Sequence, residues 1–301
     1  MAGGGKKPNG RHPPEGDRGG WLEITLLIAT AVSSVAIFLI FLLLVYFCLP
    51  LFTAGRVSEL LTFEWQPFGG RYGILPMCAT SLGLSILSLC LAFPPAVGFC
   101  CLTFALAPRR IARFLLAWVH FMTGIPTVVY GFVSVFLLVP VMRAWFEAGS
   151  GFSLLTASIT LSLLILPTIV LVLQAGLERI DPLLRLASEA MGLTTIQQVR
   201  HVFLPAAREG LITGAILGFG RAVGDTLISL MLAGNAPQPP HSLLASVRTL
   251  TSHIALVLAT DSTSMVYQSV FASGLILFLL TGAISFLIRK AGTHAGRRGH
   301  A

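Results

Sequence analysis

Apolar residues gather in six long runs along this chain, at residues 22–51, 73–107, 114–141, 152–177, 211–232 and 266–288, with short polar breaks between them. A helix that crosses the hydrocarbon core of a bilayer needs about 20 consecutive, mostly apolar residues, so each run predicts one spanning helix. The second run is too long for one straight crossing, and Pro94-Pro95 is placed to kink it or to end its membrane part early. A seventh apolar stretch, 243–258, is shorter and contains Arg248 and His253. It predicts a helix that lies at the surface or re-enters the membrane. Residues 1–20 are rich in Gly, Pro and charge and predict a disordered tail. The first run is 30 residues long. That exceeds the roughly 7–15 of a signal-peptide core, and no small-residue cleavage site follows it, so it predicts an uncleaved first span.

Composition agrees with that pattern. Of 301 residues, 55% are hydrophobic and 11% charged, with mean hydropathy +0.85, against about 25% charged in a soluble domain. The formal net charge is +8, but where the charges sit matters more than their sum. Fifteen basic residues fall in the N-tail (Lys6, Lys7, Arg11, Arg18), the second loop (Arg109, Arg110, Arg113), the fourth loop (Arg179, Arg185, Arg200, Arg208) and the C-tail (Arg289, Lys290, Arg297, Arg298). Four, namely Arg56, Arg71, Arg143 and Arg248, fall on the other side. By the positive-inside rule this predicts six spans with both termini in the cytoplasm. The domain layout follows: a tail at 1–20, the first span and an external loop at 21–72, a membrane domain at 73–290 with a cytoplasmic loop at 178–209, and a basic tail at 291–301. No aromatic-interleaved basic patch marks a nucleic-acid surface. Five cysteines lie in apolar runs, with no CxxC pair and no histidine at metal-ligand spacing, so they read as small apolar residues and no metal site is expected. No nucleophile–base set supports an enzyme.

One basic residue belongs to neither face. Arg221 lies inside the fifth run, in "GRAVGDT" (220–226), with Asp225 four residues on. At i, i+4 the two share a helix face. One reading is an internal ion pair that offsets the cost of charge at membrane depth. The other is a water-accessible site where Arg221 meets an anion, since ionisable residues at that depth are functional by default. The arginine fork suits an oxyanion, and a carboxylate beside it could accept a hydrogen bond from a protonated oxygen, as on hydrogen phosphate and not on sulfate, or could release Arg221 by exchanging partners. Gly210, Gly214 and Gly218, and Gly220 with Gly224, form small-xxx-small patterns that permit close helix packing. His120 reads as a hydrogen-bonded packing residue. Pro126, Tyr130 and Gly131 mark either an ordinary kink or a break near a path, and Asp261 and the loop 237–240 are external.

The fourth loop, "ERIDPLLRLASEAMGLTTIQQVRHVFLPAARE" (178–209), is polar yet patterned as helix. Asp181-Pro182 is a helix start. Leu183, Leu184, Ala187 and Met191 recur at helical spacing, Gly192 permits the end, and a second helix follows over about 195–203. Two short helices at a turn suggest a docking knob, or a loop packed on its own bundle.

This loop resembles the cytoplasmic "EAA" loop of ABC importer permeases, E-A-A, three residues, Gly, nine residues, I-x-L-P. Gly192 is followed by nine residues and then Val202-Phe203-Leu204-Pro205, while Leu186-Ala187-Ser188 stands in place of Glu-Ala-Ala, with Glu189 one position beyond as a substitute. "GRAVGDT" followed by "LMLAGNAPQPP" resembles the phosphate-specific (Pst) permeases, whose form is GRAxGET; here the acid is Asp225. "GIPTVVYGFVSVFLLVP" (124–140), "ILPTIV" (165–170) and "RTLTSHIAL" (248–256) resemble further segments of that family in the same order, and are closer to its PstC type than its PstA type. The resemblance implies an all-α integral membrane protein with the type I ABC importer permease (MetI-like) fold, in a bacterial inner membrane. It implies that Arg221, Asp225 and Thr226 line a phosphate path, and that Leu186, Ala187, Ser188, Glu189, Gly192, Leu204 and Pro205 contact an ATPase. The implied partners are a second permease, two ATPase subunits, an extracytoplasmic phosphate-binding protein and membrane lipid. No phosphate-binding loop GxxxxGK[ST] occurs, so ATP and Mg would be used by a separate polypeptide and no cofactor is bound by this chain. The alternatives are a permease for sulfate, molybdate or phosphonate, and an ion-coupled secondary transporter. The latter class often carries inverted repeats, and none is visible here.

Overall fold

The structure, a computed structural model, describes residues 18–53, 55, 57–146, 149–258 and 265–296. The element order is α1 (Arg18–Thr53), α2 (Val57–Leu60), a two-stranded antiparallel hairpin of β1 (Trp65–Gln66) and β2 (Arg71–Tyr72), α3 (Leu75–Cys101), α4 (Arg109–Gly124), α5 (Thr127–Phe146) and α6 (Leu154–Glu178). The long polar loop holds α7 (Pro182–Ala190), α8 (Thr195–Gln198) and α9 (Leu204–Ala206). The chain ends with α10 (Arg208–Gly224), α11 (Leu227–Leu232), α12 (Leu250–Val257) and α13 (Met265–Gly296).

Two compact units separate at Tyr46/Phe47. The described part of the first is α1 up to Tyr46. It is apolar on every side, and Val32, Val35, Phe38 and Leu39 stand exposed, as a helix surrounded by lipid requires. It begins at Arg18, inside the predicted tail; residues 1–17 lie outside the described residues.

The second unit is built around α6, the most enclosed of the spans at 61% buried. It packs against α3 and α10, and α13 closes on α10. Glycine makes the α6–α10 contact possible. A Cβ on Gly176 would sit 3.0 Å from the Gly210 Cα, and one on Gly218 would sit 2.7 Å from Ile169 Cγ1. The pattern 210–214–218 is therefore a packing face, as expected. Gly224 has open space beside it and does no such work. Several hydroxyls buried in α3 and α6 bond back to helix carbonyls, as Ser85 does to Ser81 and Ser158 to Leu154, so they cost little away from water.

Five helices are long and apolar enough to cross: Glu23–Thr53, Leu75–Leu106, Thr127–Phe146, Leu154–Glu178 and Met265–Leu287. A sixth crossing is counted when Thr195–Ala206 and Arg208–Gly224, bent by 69°, are taken as one span. Two expected spans are corrected. The third is not continuous over 114–141. It breaks at Ile125-Pro126, and the crossing is α5. A residue before proline is driven out of the helical region, and Ile125 has φ −75°, ψ 124°. Tyr130 reaches back across the break and donates to the Met122 carbonyl at 3.1 Å. α4 is left as a separate helix with an exposed apolar stripe of Ile111, Phe114, Trp118 and Phe121. The fifth is not continuous over 211–232 either, because α10 stops at Gly224 and α11 begins at Leu227. By contrast, Pro94-Pro95 does not break α3, which runs helical to Cys101 and ends in a wider turn at Leu102–Leu106.

α12 is neither a span nor a surface helix. Leu250, Thr251, Ser252, His253 and Val257 are buried, against α3, α11 and α13. The loop before it crosses the start of α6, where Leu154 and Leu155 N–H donate to the Ala245 and Leu243 carbonyls. The C-terminal tail expected from residue 291 continues α13 to Gly296; residues 297–301 lie outside the described residues.

Candidate functional site

The break between α10 and α11 is where the charged residues meet the fold. Asp225 has φ −76°, ψ 123°, an extended residue between two helices. Its Oδ2 accepts from the Ile228 N–H at 2.9 Å, holding the first turn of α11. Its carbonyl, freed by the break, accepts from Ser229 Oγ at 3.2 Å and Thr251 Oγ1 at 3.1 Å. Backbone groups freed at membrane depth must find such partners. Thr226 is the residue before α11, and its carbonyl accepts from Leu230 N–H and Ser229 Oγ.

Behind the break lies a buried cluster of four hydroxyls. Thr249 donates to Ser229 at 3.1 Å and lies 3.0 Å from Thr251 and 2.8 Å from Ser252; Ser252 donates to Ser229 at 3.1 Å. It ties the N-terminus of α12 to α11, and Ser81 on α3 accepts from the Leu250 N–H at 2.8 Å.

Arg221 and Asp225 do not pair. The expected shared face required a continuous helix through both, and α10 ends one residue before the aspartate. Arg221 Nη1 instead donates to Thr168 Oγ1 on α6, at 2.5 Å. Thr168 sits in the "ILPTIV" segment but was not singled out by sequence, because one threonine on an apolar helix carries no distinguishing mark. Together with Thr281 and Ser285 of α13, Arg221 and Thr168 line a groove of about 360 Å³ between α6, α10 and α13. A larger cavity of about 750 Å³ opens where α6 and α10 end at the polar loop, and Arg179, Asp181 and Glu209 there bring charges of both signs. The groove at Arg221 is the better anion site, since Arg221 is the one charged side chain among the described residues that line it.

The polar loop is ordered as its signals predict. Asp181 Oδ1 accepts from Leu183 N–H at 2.9 Å, Pro182 is the first helical residue, and Gly192 takes φ +73° at the turn. Thr194 and Gln197 form a reciprocal capping box on α8. The wide turn Val199–Phe203 follows, with Leu204 and Pro205 opening α9. Phe203 is buried and stacks edge-on against Phe104, 5.3 Å between centroids, fixing the loop to the bundle. The apolar stripe turns outward. Leu183, Leu186, Met191 and Ile196 are 61–70% exposed, and Ala187 is exposed too, while Ser188 is buried. Glu189 lies 3.3 Å from Arg185 on its own helix. Thus the face that sequence left between docking and self-packing is presented, not packed.

His120 is hydrogen-bonded to the Leu116 carbonyl at 2.8 Å, on an exposed face. Gly131 packs under Met231, joining α5 to α11 beside the break. The five cysteines are free thiols, and Cys90 is exposed where a buried residue was expected. Asp261 lies outside the described residues.

The fold and site define a helical membrane-transport subunit, with a break between two helices beside a cation and an ordered polar loop. Residues 96–292 match the family described as the binding-protein-dependent transport system inner membrane component, and the chain belongs to that family. Among curated relatives it is 34% identical to a probable ABC transporter permease protein, YqgH, of Bacillus subtilis, covering 77% of this chain and 76% of the relative. It is 28% identical to the phosphate transport system permease protein PstC of Mesorhizobium japonicum, covering 88% of this chain and 89% of the relative. It is 27% identical to PstC of Haemophilus influenzae, covering 89% and 92%. Among solved structures, a bacterial ABC transporter involved in import of alginate has a chain that superposes with TM-score 0.58 at 16% identity, covering 92% of this chain and 98% of that one. An inward-facing MetNI methionine ABC transporter has one with TM-score 0.56 at 21% identity, covering 72% and 95%. The fold is the MetI-like permease fold.

Proposed function

We propose that this chain is one membrane half of an ATP-driven phosphate importer, of the PstC type, with Arg221 at the substrate path. The carrying observation is that Arg221, in the last turn of α10, is partly buried and bonded to a neutral hydroxyl, so its charge is open to an anion. Phosphate as the particular anion is supported by likeness to PstC relatives over 88–89% of the chain. Asp225 acts beside the path by shaping the break, and Thr226 lies in it.

The rest of the assembly follows from the loop. ATP hydrolysis resides in separate ATPase subunits, two per transporter, seated on the knob at 186–192 and steadied by Leu204-Pro205. A second, related permease completes the path, and an extracytoplasmic binding protein delivers phosphate to it. Both termini face the cytoplasm. ATP binding turns the path outward and hydrolysis resets it. The test is uptake of labelled inorganic phosphate by the reconstituted complex. We expect Arg221→Ala to reduce it at least 100-fold with assembly intact, a loss on the scale of an intramembrane charge contact. Unchanged uptake would remove Arg221 from the path. A second reading, another tetrahedral oxyanion, is favoured by the engagement of Asp225 with Ile228, which leaves the geometry at Arg221 without an acceptor selective for a protonated oxygen. Competition by sulfate, molybdate and phosphonate separates the two.

A further inference from the structure

We infer that the anion is held by Arg221 together with Thr168, and that Thr168 both aims the guanidinium and donates to the same oxyanion, with Thr281 and Ser285 of α13 forming the opposite wall. This rests on the proposal that an oxyanion passes Arg221.

Arginine carries five N–H donors and a permanent charge. Among the described residues, Arg221 makes one hydrogen bond, to a neutral oxygen, and no ion pair. The guanidinium therefore keeps donors without a protein partner among the described residues, and Arg221 lines the groove between α6, α10 and α13. A cation without an ion-pair partner is costly at that depth, and an anion that accepts from several of its donors relieves the cost.

Several hydroxyls on the spans spend their proton within their own helix, and Thr168 does not. Ser158, Thr160, Thr281 and Ser285 each donate to a carbonyl four residues back in their own helix. Thr168 receives a hydrogen bond from Arg221 and donates none among the described residues. A hydroxyl has one donor and two acceptor positions. One acceptor position holds the arginine, so the proton of Thr168 is free for an acceptor in the groove. Polarised by the guanidinium, it is a better donor than an isolated hydroxyl. An oxyanion lodged there would accept from the guanidinium edge and from Thr168 at once. Thr281 and Ser285 set the width of the site from the opposite side.

The two roles predict a specific pattern in the reconstituted complex, read as uptake of labelled inorganic phosphate over a range of concentrations. Thr168→Val has nearly the same shape and no hydroxyl. We expect it to raise the half-saturating phosphate concentration about tenfold, the worth of one hydrogen bond to a charged partner. We expect a smaller fall in maximal rate, and Thr168→Ser should restore the wild-type half-saturation. Co-purification with the ATPase and ATPase activity without phosphate report folding and assembly for each variant. Equal half-saturation for wild type and Thr168→Val overturns the inference. So does equal impairment of the Val and Ser variants, which would mark Thr168 as a packing residue. If the assembled wild-type complex imports no phosphate but imports another oxyanion, the substrate reading fails, and the same variants are scored on that anion. If it imports no oxyanion, both fail together.

Discussion

An arginine in lipid is tolerated only where something receives its charge. Here the nearest carboxylate in sequence makes no direct ion pair with it. Asp225 is one residue past the end of α10, and its carboxylate holds the Ile228 N–H. Asp225→Asn keeps an acceptor there and should preserve the break; Asp225→Ala should destabilise it by about 1 kcal/mol, the worth of a capping bond, seen as a lower thermal midpoint of the purified complex. At the other end of the hydroxyl cluster, His253 is fully buried, 4.4 Å from Trp65 and 3.1 Å from Ser269 Oγ, and its Nδ1 has no partner in the structure. α12 is outside the spans, and there burial, followed by the charge of Arg248, pushes the histidine down from 6.5 to about 3. The unfolded chain therefore binds a proton that the folded chain refuses. Stability should be fully present above about pH 6.5 and fall as pH drops toward 3, and His253→Gln should flatten that slope in detergent melts. Arg221 was legible in sequence because it alone belonged to neither face. Thr168 and the burial of His253 were not, because each depends on which helix lies opposite.

At the scale of helices, the elements follow their local signals except at two breaks. The α6–α10 contact is a glycine seam that sequence marked on one side only, since Gly176 stands alone in α6. Gly176→Val would place a side chain against the Gly210 backbone, which cannot rotate away. We expect destabilisation of about 1–3 kcal/mol, as for other overpacked cores. Gly83→Ala in α3, where a Cβ meets open space, should be neutral or slightly stabilising. Both are read from thermal unfolding of the complex. The Pro126 break was visible as a proline in an apolar run. The Asp225 break was not, because Gly-Asp-Thr inside a run of apolar residues reads equally as a continuous helix. The four hydroxyls from α11 and the segment 249–252 make the break affordable, and that partnership spans more than twenty residues of chain.

For the whole chain, the apolar runs set the crossings and charge placement predicts their orientation. The polar loop at 178–209 and the turn at 149–151 should lie on opposite sides of the membrane. Thr195→Cys should be labelled by a membrane-impermeant thiol reagent only in inside-out vesicles, and Ser150→Cys only in right-side-out cells, both positions being exposed. Labelling of both from one side would reverse the crossing count between them. Sequence by itself determined the membrane class, the approximate positions of the crossings, the ordered loop and the residue whose charge needs an explanation. These are properties of local composition and spacing, and a bilayer reads them one segment at a time. Tertiary structure decided what Arg221 touches, where the third and fifth crossings break, which face of the loop is presented, and that α12 is buried. Each depends on backbone and side-chain groups far apart in sequence finding one another inside a medium that offers no water to take their place.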